Sequence, residues 1–260
     1  MDGHRDLRAL TRAIQAAGGD GTYTAYHAPR YAVALDLVRR HLPTGGGRVL
    51  DVGRSALTGL LHEHLGVPVD SLGFGPDGPT ATGRHHELDL DDAQHPDRWR
   101  RDLGRYEVVV LAEVLEHLHT APTLVLAFLS TLLAPNGVLL IQTPNALSLP
   151  KRIKPLLGIH PYEPIREDPR EPGHFREYTL PELHDLARRT GFEVLHAATY
   201  NYFDLRHNRH TGATRPRWLE AAKMRLYGAL PGPLRPGITL VLRWVGMAEP
   251  SPSPVAGALR

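Results

Sequence analysis

The sequence contains no cysteine, which excludes disulfide bonds, thiolate metal sites and a cysteine nucleophile. It contains no apolar run long enough to span a membrane, and its charged first ten residues do not fit a secretory signal. A strong charge imbalance is also absent, since 30 basic residues stand against 28 acidic ones. That balance is not typical of a dedicated nucleic-acid binder. We therefore expect a soluble cytoplasmic protein that has no nucleic-acid partner.

The composition is that of a globular protein, with 42% apolar and 22% charged residues in a chain of 260. We expect a helical cap over residues 1–44, one folded domain over 45–248 and a disordered tail rich in proline and serine over 249–260. Two proline-punctuated, basic segments, 146–176 and 203–236, are long for plain connections. We expect them to be lids or substrate-binding elements.

The chain is organised around a glycine-rich stretch. Glycines 45–47 lead into the apolar segment Val49–Val52, which carries Asp51 and stops at Gly53. A helical pattern of leucines follows, at Leu57, Leu60, Leu61 and Leu65. This order of strand, tight turn and helix is the first unit of a parallel α/β sheet, whose ligands bind at the carboxyl ends of the strands.

Six further strands are predicted, at 67–74, 87–90, 106–112, 138–143, 192–200 and 238–245. The β-branched run over 106–112 is typical of a central strand that is covered on both faces. Helical patterns cover 6–17, a segment after Tyr31, the residues that follow a capping box at Thr179, and about 218–230. We find no internal repeat.

The glycine turn after Asp51 resembles the first motif of class I S-adenosylmethionine-dependent methyltransferases. The run 106–145, with its Leu-Glu-His element and its Pro-Asn-Gly turn, is similar to the core of the same family. Dinucleotide-binding folds instead require G-x-G-x-x-G, which this stretch does not contain. The resemblance implies a single α/β domain, Rossmann-like and doubly wound, with a mostly parallel seven-stranded sheet and an antiparallel last strand.

The sequence departs from the family pattern at two positions. Ser55 stands where the family has a second glycine. The end of strand two lacks the acid that usually accepts from both ribose hydroxyls, since Asp70 and Asp77 are not clearly in register.

The resemblance implies S-adenosylmethionine as the cofactor and suggests residues that bind it. Arg30 or Tyr26 would meet the methionine carboxylate, Phe74 would lie against the adenine, and Asp89 would accept from the adenine amino group. The full set is Asp51, Gly53, Ser55, Phe74, Asp89, Leu90, Glu113, Arg30 and Tyr26. Other roles remain open, because Tyr26 could pack, Arg30 could cap surface carbonyls and Asp89 could belong to a solvated acidic loop.

Four residues form the candidate reactive group. Glu113, Glu116 and His117 are three and four positions apart, which places them on one side of a helical turn. His174 lies in a later loop that we expect to return over the same edge. Two carboxylates and two imidazoles suit Mg²⁺, Mn²⁺ or Zn²⁺. The pattern resembles that of metal-dependent small-RNA 2′-O-methyltransferases and of ubiquinone-pathway O-methyltransferases.

Three interpretations of this group stay open. The residues could bind a divalent metal that activates the acceptor hydroxyl. His117 or His174 could act as a metal-free general base, with Glu116 beside it. Alternatively, Glu116 and His117 could be structural.

We predict a methyltransferase that acts on an oxygen of a small polyhydroxylated acceptor, such as a sugar or a secondary metabolite. The expected walls of its acceptor pocket are Arg176, Tyr178, Tyr200, Asn201 and Tyr202. One alternative is an RNA 2′-O-methyltransferase, which the metal-like group favours. The other is a non-catalytic module that keeps the fold for binding.

Overall fold

The computed structural model describes residues 3–18, 22–168, 172–207 and 217–246. Its strands are β1 Val49–Val52, β2 Val69–Gly73, β3 Gly78–Pro79, β4 Arg84–Glu87, β5 Tyr106–Ala112, β6 Leu133–Pro144, β7 Phe192–Tyr200 and β8 Gly237–Trp244. Its α-helices are α1 Gly3–Gly18, α2 Tyr23–His41, α3 Ala56–Leu65, α4 Pro122–Ser130, α5 Leu149–Leu156, α6 Leu180–Arg189 and α7 Arg217–Ala229. Short 3₁₀ helices cover Leu90–Gln94, Pro96–Arg98, Leu115–His117, Leu205–His207 and Gly232–Leu234.

The strands form one sheet in the order β3-β4-β2-β1-β5-β6-β8-β7. Neighbouring strands from β4 to β6 are parallel, whereas β8 runs antiparallel to both β6 and β7. The predicted α/β class and the antiparallel last strand are therefore confirmed. The sheet has eight strands instead of seven, because the two residues of β3 add a short antiparallel edge to β4.

Helices cover both faces of the sheet. One apolar cluster joins α4 and α6 to one face and contains Phe128, Leu129 and Leu186. The other joins α1, α2 and α3 to the opposite face and contains Ile14 and Leu61. The central strands are buried on both sides, which explains the continuous apolar pattern of β5.

Three elements differ from the sequence-based expectation. Helix α2 begins at the Thr22 cap and runs through Pro29, so the segment expected to precede this helix is its first half. The strand expected at 87–90 lies at 84–87, because the buried His85 and His86 belong to it. Strand β6 begins at Leu133, ahead of the predicted turn.

Parts of the predicted segments lie outside the described residues. They are 1–2 and 19–21 of the cap, 169–171 of the first insertion, 208–216 of the second, 247–248 at the end of the predicted domain, and the tail 249–260. In the part that the structure describes, no helix combines the length and the apolar character needed to cross a membrane.

Candidate active site

Parallel pairing brings the carboxyl ends of β1, β2, β5 and β6 to one edge of the sheet. Val52 is level with Leu72 on β2 and with Leu111 on β5, while Ala112 is level with Gln142 on β6. The loops that leave these strands therefore carry the sequence-predicted residues to one place, as expected for a doubly wound sheet.

The turn after β1 requires glycine. Gly53 has φ +83° and donates its N–H to the Leu72 carbonyl over 2.8 Å. A Cβ at this position would meet Cγ2 of Val114 at 2.6 Å, which no real contact allows. The absence of a side chain thus lets the β1 turn pack against the segment that follows β5.

Ser55 is the amino-terminal cap of α3. Its hydroxyl accepts from the Leu57 N–H over 3.2 Å, and its own N–H donates to Thr58 Oγ1 over 3.1 Å. Its φ of −149° is extended backbone that any residue adopts. The position that is glycine in the family therefore does not need glycine in this chain, and the serine stabilises the helix start.

Asp51 lies under the glycine turn and is almost completely buried. Its Oδ2 accepts from Thr58 Oγ1 over 2.6 Å, which ties β1 to α3. Burial raises the pKa of this carboxyl to about 7, although the hydrogen bond from Thr58 and the charge of Arg30 oppose the shift.

The other expected cofactor ligands near β2 and β4 do not converge. Phe74 is 82% exposed just after β2. Asp89 is exposed and caps a 3₁₀ helix by accepting from the Asp91 N–H over 3.0 Å, whereas Leu90 is buried in the core. The carboxylate of Asp89 therefore has a local structural partner, and its contact with adenine stays a prediction.

Asp70 and Asp77, the two candidate acids of strand two, both contact other protein groups. Asp70 is near the amino-terminal end of β2 and pairs with Arg48 over 3.0 Å. Asp77 accepts from the Glu87 N–H over 2.5 Å and pairs with Arg100. Both carboxylates are occupied by protein groups.

Glu113 and Arg30, both expected to bind the cofactor, bind each other. Arg30 is 4% exposed, and its guanidinium lies 3.1 Å from Oε2 of Glu113. Glu113 has φ +56°, an uncommon conformation for a residue with a side chain. Gln142 holds the pair in place, because it accepts from the Glu113 N–H over 2.7 Å and donates to the Arg30 carbonyl over 3.3 Å.

Glu116, His117 and His174 do come together. One potential ligand atom from each residue lies within 4.8 Å of the other two, and the imidazole centroids are 4.8 Å apart. Glu113 is outside this group, so three of the four predicted residues form the cluster. The 3₁₀ turn after β5 places Glu116 and His117, while the Glu116 carbonyl accepts from the Phe175 N–H and anchors the loop of His174.

The hydrogen bonds in this cluster orient its three side chains. Nδ1–H of His117 donates to the Gly173 carbonyl over 2.8 Å, and Nδ1–H of His174 donates to Oε1 of Glu177 over 2.9 Å. In the neutral form of each ring, Nε2 is then the atom that can accept a hydrogen bond. Oε2 of Glu116 accepts from Thr143 over 2.9 Å. The other carboxylate oxygen, Oε1, is buried and has no hydrogen-bond partner within the described residues.

Burial dominates the electrostatics of the cluster. It raises the pKa of Glu116, which is fully buried, and lowers the pKa of His117, so that both neutral forms are favoured. Burial would also raise the pKa of Glu177, but hydrogen bonds from His174 and Lys151 outweigh it and hold that pKa below the ordinary value.

A cavity of about 540 Å³ opens beside the cluster. His117, His174 and Glu113 line its reactive side. Aromatic residues form much of the remaining wall, among them Tyr23, Tyr26, Phe203 and Tyr227. Tyr26 and Phe203 stack with their ring centroids 5.1 Å apart, so the predicted cofactor contact Tyr26 has an aromatic partner here.

The residues predicted to wall the acceptor pocket are placed differently, apart from Asn201, which lines the cavity. Tyr178 and Tyr202 are buried, and the Tyr202 hydroxyl donates to the Ile238 carbonyl. The Tyr200 hydroxyl is 2.9 Å from a ring nitrogen of His196. Arg176 pairs with Glu182 and lines a second cavity of about 600 Å³.

Among the lining residues that were not predicted are two lysines and one glutamate: Lys151, Lys154 and Glu177. The basic run at 151–154 inside the first insertion was the available signal. The sequence offered no comparable signal for Glu177, because its contacts with His174 and Lys151 form only in the folded chain.

A family model described as a methyltransferase domain matches residues 23–197 of this chain. A curated protein of Mycolicibacterium smegmatis, named as a probable S-adenosylmethionine-dependent methyltransferase, is 33% identical over 107 residues, which cover 39% of this chain and 36% of that protein. The chain thus matches little more than a third of that relative's length.

Solved structures with a similar arrangement include the 1,6-didemethyltoxoflavin N1-methyltransferase of Burkholderia thailandensis, which contains its substrate and S-adenosylhomocysteine. It is 17% identical, with a TM-score of 0.49, over 93% of this chain and 90% of that one. An S-adenosylmethionine-dependent methyltransferase of Mesorhizobium loti is 16% identical, with a TM-score of 0.49, over 82% and 96%.

Proposed function

This chain belongs to the family of S-adenosylmethionine-dependent methyltransferases that share the methyltransferase domain, and we propose that it methylates an oxygen of a small polyhydroxylated acceptor. The observation that carries this proposal is the position of two oriented imidazoles and a buried carboxylate beside a small cavity at the carboxyl edge of the sheet. A sugar or a secondary metabolite fits such a cavity.

In methyl transfer, the main task of the protein is to position the acceptor relative to the cofactor. The sulfonium of the cofactor is already activated, so the acceptor oxygen must be held in line with the methyl carbon and the sulfur. As the oxygen–carbon bond forms and the carbon–sulfur bond breaks, the hydroxyl proton must leave. An unprotonated Nε2 of His117 or His174 can take it, because each Nδ1–H is held by a protein oxygen.

The same residues also fit a divalent metal. Oε1 of Glu116 is buried without a partner, and each histidine donates its Nδ1–H to an oxygen, as metal-binding histidines do. Two imidazoles and one carboxylate favour Mn²⁺ or Zn²⁺ over Mg²⁺, which prefers oxygen ligands. When bound, such an ion would lower the pKa of an acceptor hydroxyl. Glu116, His117 and His174 would hold it.

The shape of the site favours a small acceptor over RNA. Aromatic residues of α2 and α7 and two lysines of α5 together line the cavity. A single-stranded RNA would need an open, positively charged groove along its backbone.

The proposed function is tested by following transfer of a radiolabelled methyl group from S-adenosylmethionine to a panel of polyols, phenols, amines and short RNAs. We expect transfer to a hydroxyl of a small molecule. Transfer to RNA or to amines alone would overturn the proposal. Measurements with chelator, Mn²⁺ or Zn²⁺ separate the metal-assisted route from the metal-free one.

A further inference from the structure

Helix α5 lies over the acceptor cavity with two basic residues turned towards it. Lys151 and Lys154 both line the cavity, as expected for positions three apart on a helix. They are separated by about 4.5 Å along the helix axis. The two ammonium groups therefore face the same space, but their partners differ.

Lys151 is neutralised by the protein. Its ammonium group pairs with Glu177, a side chain that is only 6% exposed. Glu177 in turn accepts from His174. The positive charge of Lys151 is thus balanced by the negative charge of Glu177, next to the reactive cluster.

Lys154 has no carboxylate partner among the described residues. The contact found for its ammonium group is the Pro161 carbonyl, at 3.2 Å, which fixes the side chain without cancelling its charge. The remaining charged residues around the cavity are paired, Glu113 with Arg30 and Glu177 with Lys151. Among the described lysines, arginines and carboxylates around the cavity, Lys154 therefore carries a positive charge that no carboxylate offsets. Its position is partly buried, so that solvent screens this charge only in part.

We propose that the acceptor carries an anionic substituent, a carboxylate or a phosphate group, that Lys154 binds inside this cavity. This proposal rests on the proposed function in one respect, namely that the cavity holds the acceptor. A charge-assisted hydrogen bond from a fixed ammonium group stabilises an anion more than a neutral isostere. Tyr26 and Phe203, which also line this cavity, offer an aromatic surface that suits a planar body for the same molecule.

Matched pairs of small aromatic probes test the charge preference directly. Benzoate is compared with benzamide, and phenyl phosphate with phenol, by ligand-observed NMR titration at constant ionic strength, with and without S-adenosylhomocysteine. We expect the wild-type protein to bind at least one anion about tenfold more tightly than its neutral partner. Which anion is preferred distinguishes a carboxylate from a phosphate.

Three variants assign that preference to Lys154. Lys154→Met should remove it, and Lys154→Arg should retain it. Arg152→Met is the matched control, because Arg152 lies on the same helix, is exposed and does not line the cavity. No preference in the wild-type protein, absence of binding included, would overturn the proposal. An equal loss in Arg152→Met, or a preference that survives in Lys154→Met, would overturn it as well.

The cofactor itself carries a carboxylate, so its affinity is measured in the same variants. We expect Lys154→Met to bind S-adenosylhomocysteine within twofold of the wild-type affinity. A tenfold loss would mean that Lys154 holds the cofactor, which contradicts the proposal. If the wild-type protein binds no S-adenosylhomocysteine, the proposed function fails, while the titrations without cofactor still report on Lys154.

Discussion

The two halves of the carboxyl edge are built differently. On the β1, β2 and β4 side, Phe74 and Asp89 are exposed and the nearby carboxylates have local partners. On the β5 and β6 side, Glu116 is fully buried and lies close to His117 and His174. Buried polar side chains are thus clustered where the acceptor is proposed to bind. On the side proposed for adenosine, the backbone of the glycine turn is the main feature.

Burying the carboxyl group of Glu116 with one oxygen unpartnered costs free energy, which a purely structural residue would not require. Such costs persist where function depends on them. The comparison therefore suggests that the acceptor side depends on particular side chains, whereas the adenosine side depends on the glycine turn. The following changes are ordered from the largest expected effect to the smallest.

Glu116→Ala should lower the rate of methyl transfer at least a hundredfold, because it removes the carboxylate of the reactive cluster. The affinity for S-adenosylhomocysteine should stay within twofold. Stability should not fall strongly, since one oxygen of Glu116 has no partner. Initial rates and calorimetry measure both quantities, with Glu116→Gln as the isosteric control. Wild-type turnover in Glu116→Ala would place the chemistry elsewhere.

Arg30→Met should lower the free energy of unfolding by about 3 kcal/mol. The reason is that the substitution removes the ion-pair partner of Glu113 and leaves its carboxylate unpaired in a mostly buried position. The double variant with Glu113→Gln should recover most of that loss. Urea unfolding of the four members of this cycle gives the coupling energy. Additive effects of the two substitutions would show that the pair does not stabilise the edge.

Gly53→Ala should lower the free energy of unfolding by about 2 kcal/mol, since φ is positive and the new methyl group meets Val114. It should also weaken S-adenosylhomocysteine binding. Adding Val114→Ala should restore the steric part of the loss but not the backbone part. If Gly53→Ala binds the ligand as wild type does, the adenosine side does not depend on this turn.

Asp51 should make stability depend on pH. Because burial raises its folded-state pKa to about 7, the folded protein keeps the proton that the unfolded chain has lost above about pH 4. The stabilisation is complete below pH 4 and is lost as pH rises towards 7. Between pH 6 and 7 the free energy of unfolding should fall by about 1 kcal/mol. Asp51→Asn should flatten this dependence in urea unfolding, and an unchanged slope would contradict the assignment.

The sequence predicted the elements whose pattern is set by burial alone. The apolar run of β5 and the short β1 lie where expected, because strands covered on both faces are continuously hydrophobic. Strand β4 begins three residues before its predicted position, because His85 and His86 do not match the apolar pattern expected of a buried strand. In the fold, His85 bonds Ser71 and His86 lies beside Tyr106, so partners distant in sequence allow their burial.

The candidate site was predictable in part, where it depends on residues that are close together in the sequence or at the ends of strands. Spacing brought Glu116 and His117 together, and the loop of His174 returned over them as expected. The pairing of Glu113 with Arg30 was not predicted, because it depends on a positive φ and on the path of α2. Contacts between side chains that are far apart in the sequence were the main feature of the site that the sequence pattern could not predict.

The most direct test of the account is a calorimetric titration of S-adenosylhomocysteine into the wild-type protein without added metal. The account predicts binding in the micromolar range, despite the serine at position 55 and the missing strand-two acid. Absence of heat at several temperatures, together with no ligand-induced rise in melting temperature, would contradict it.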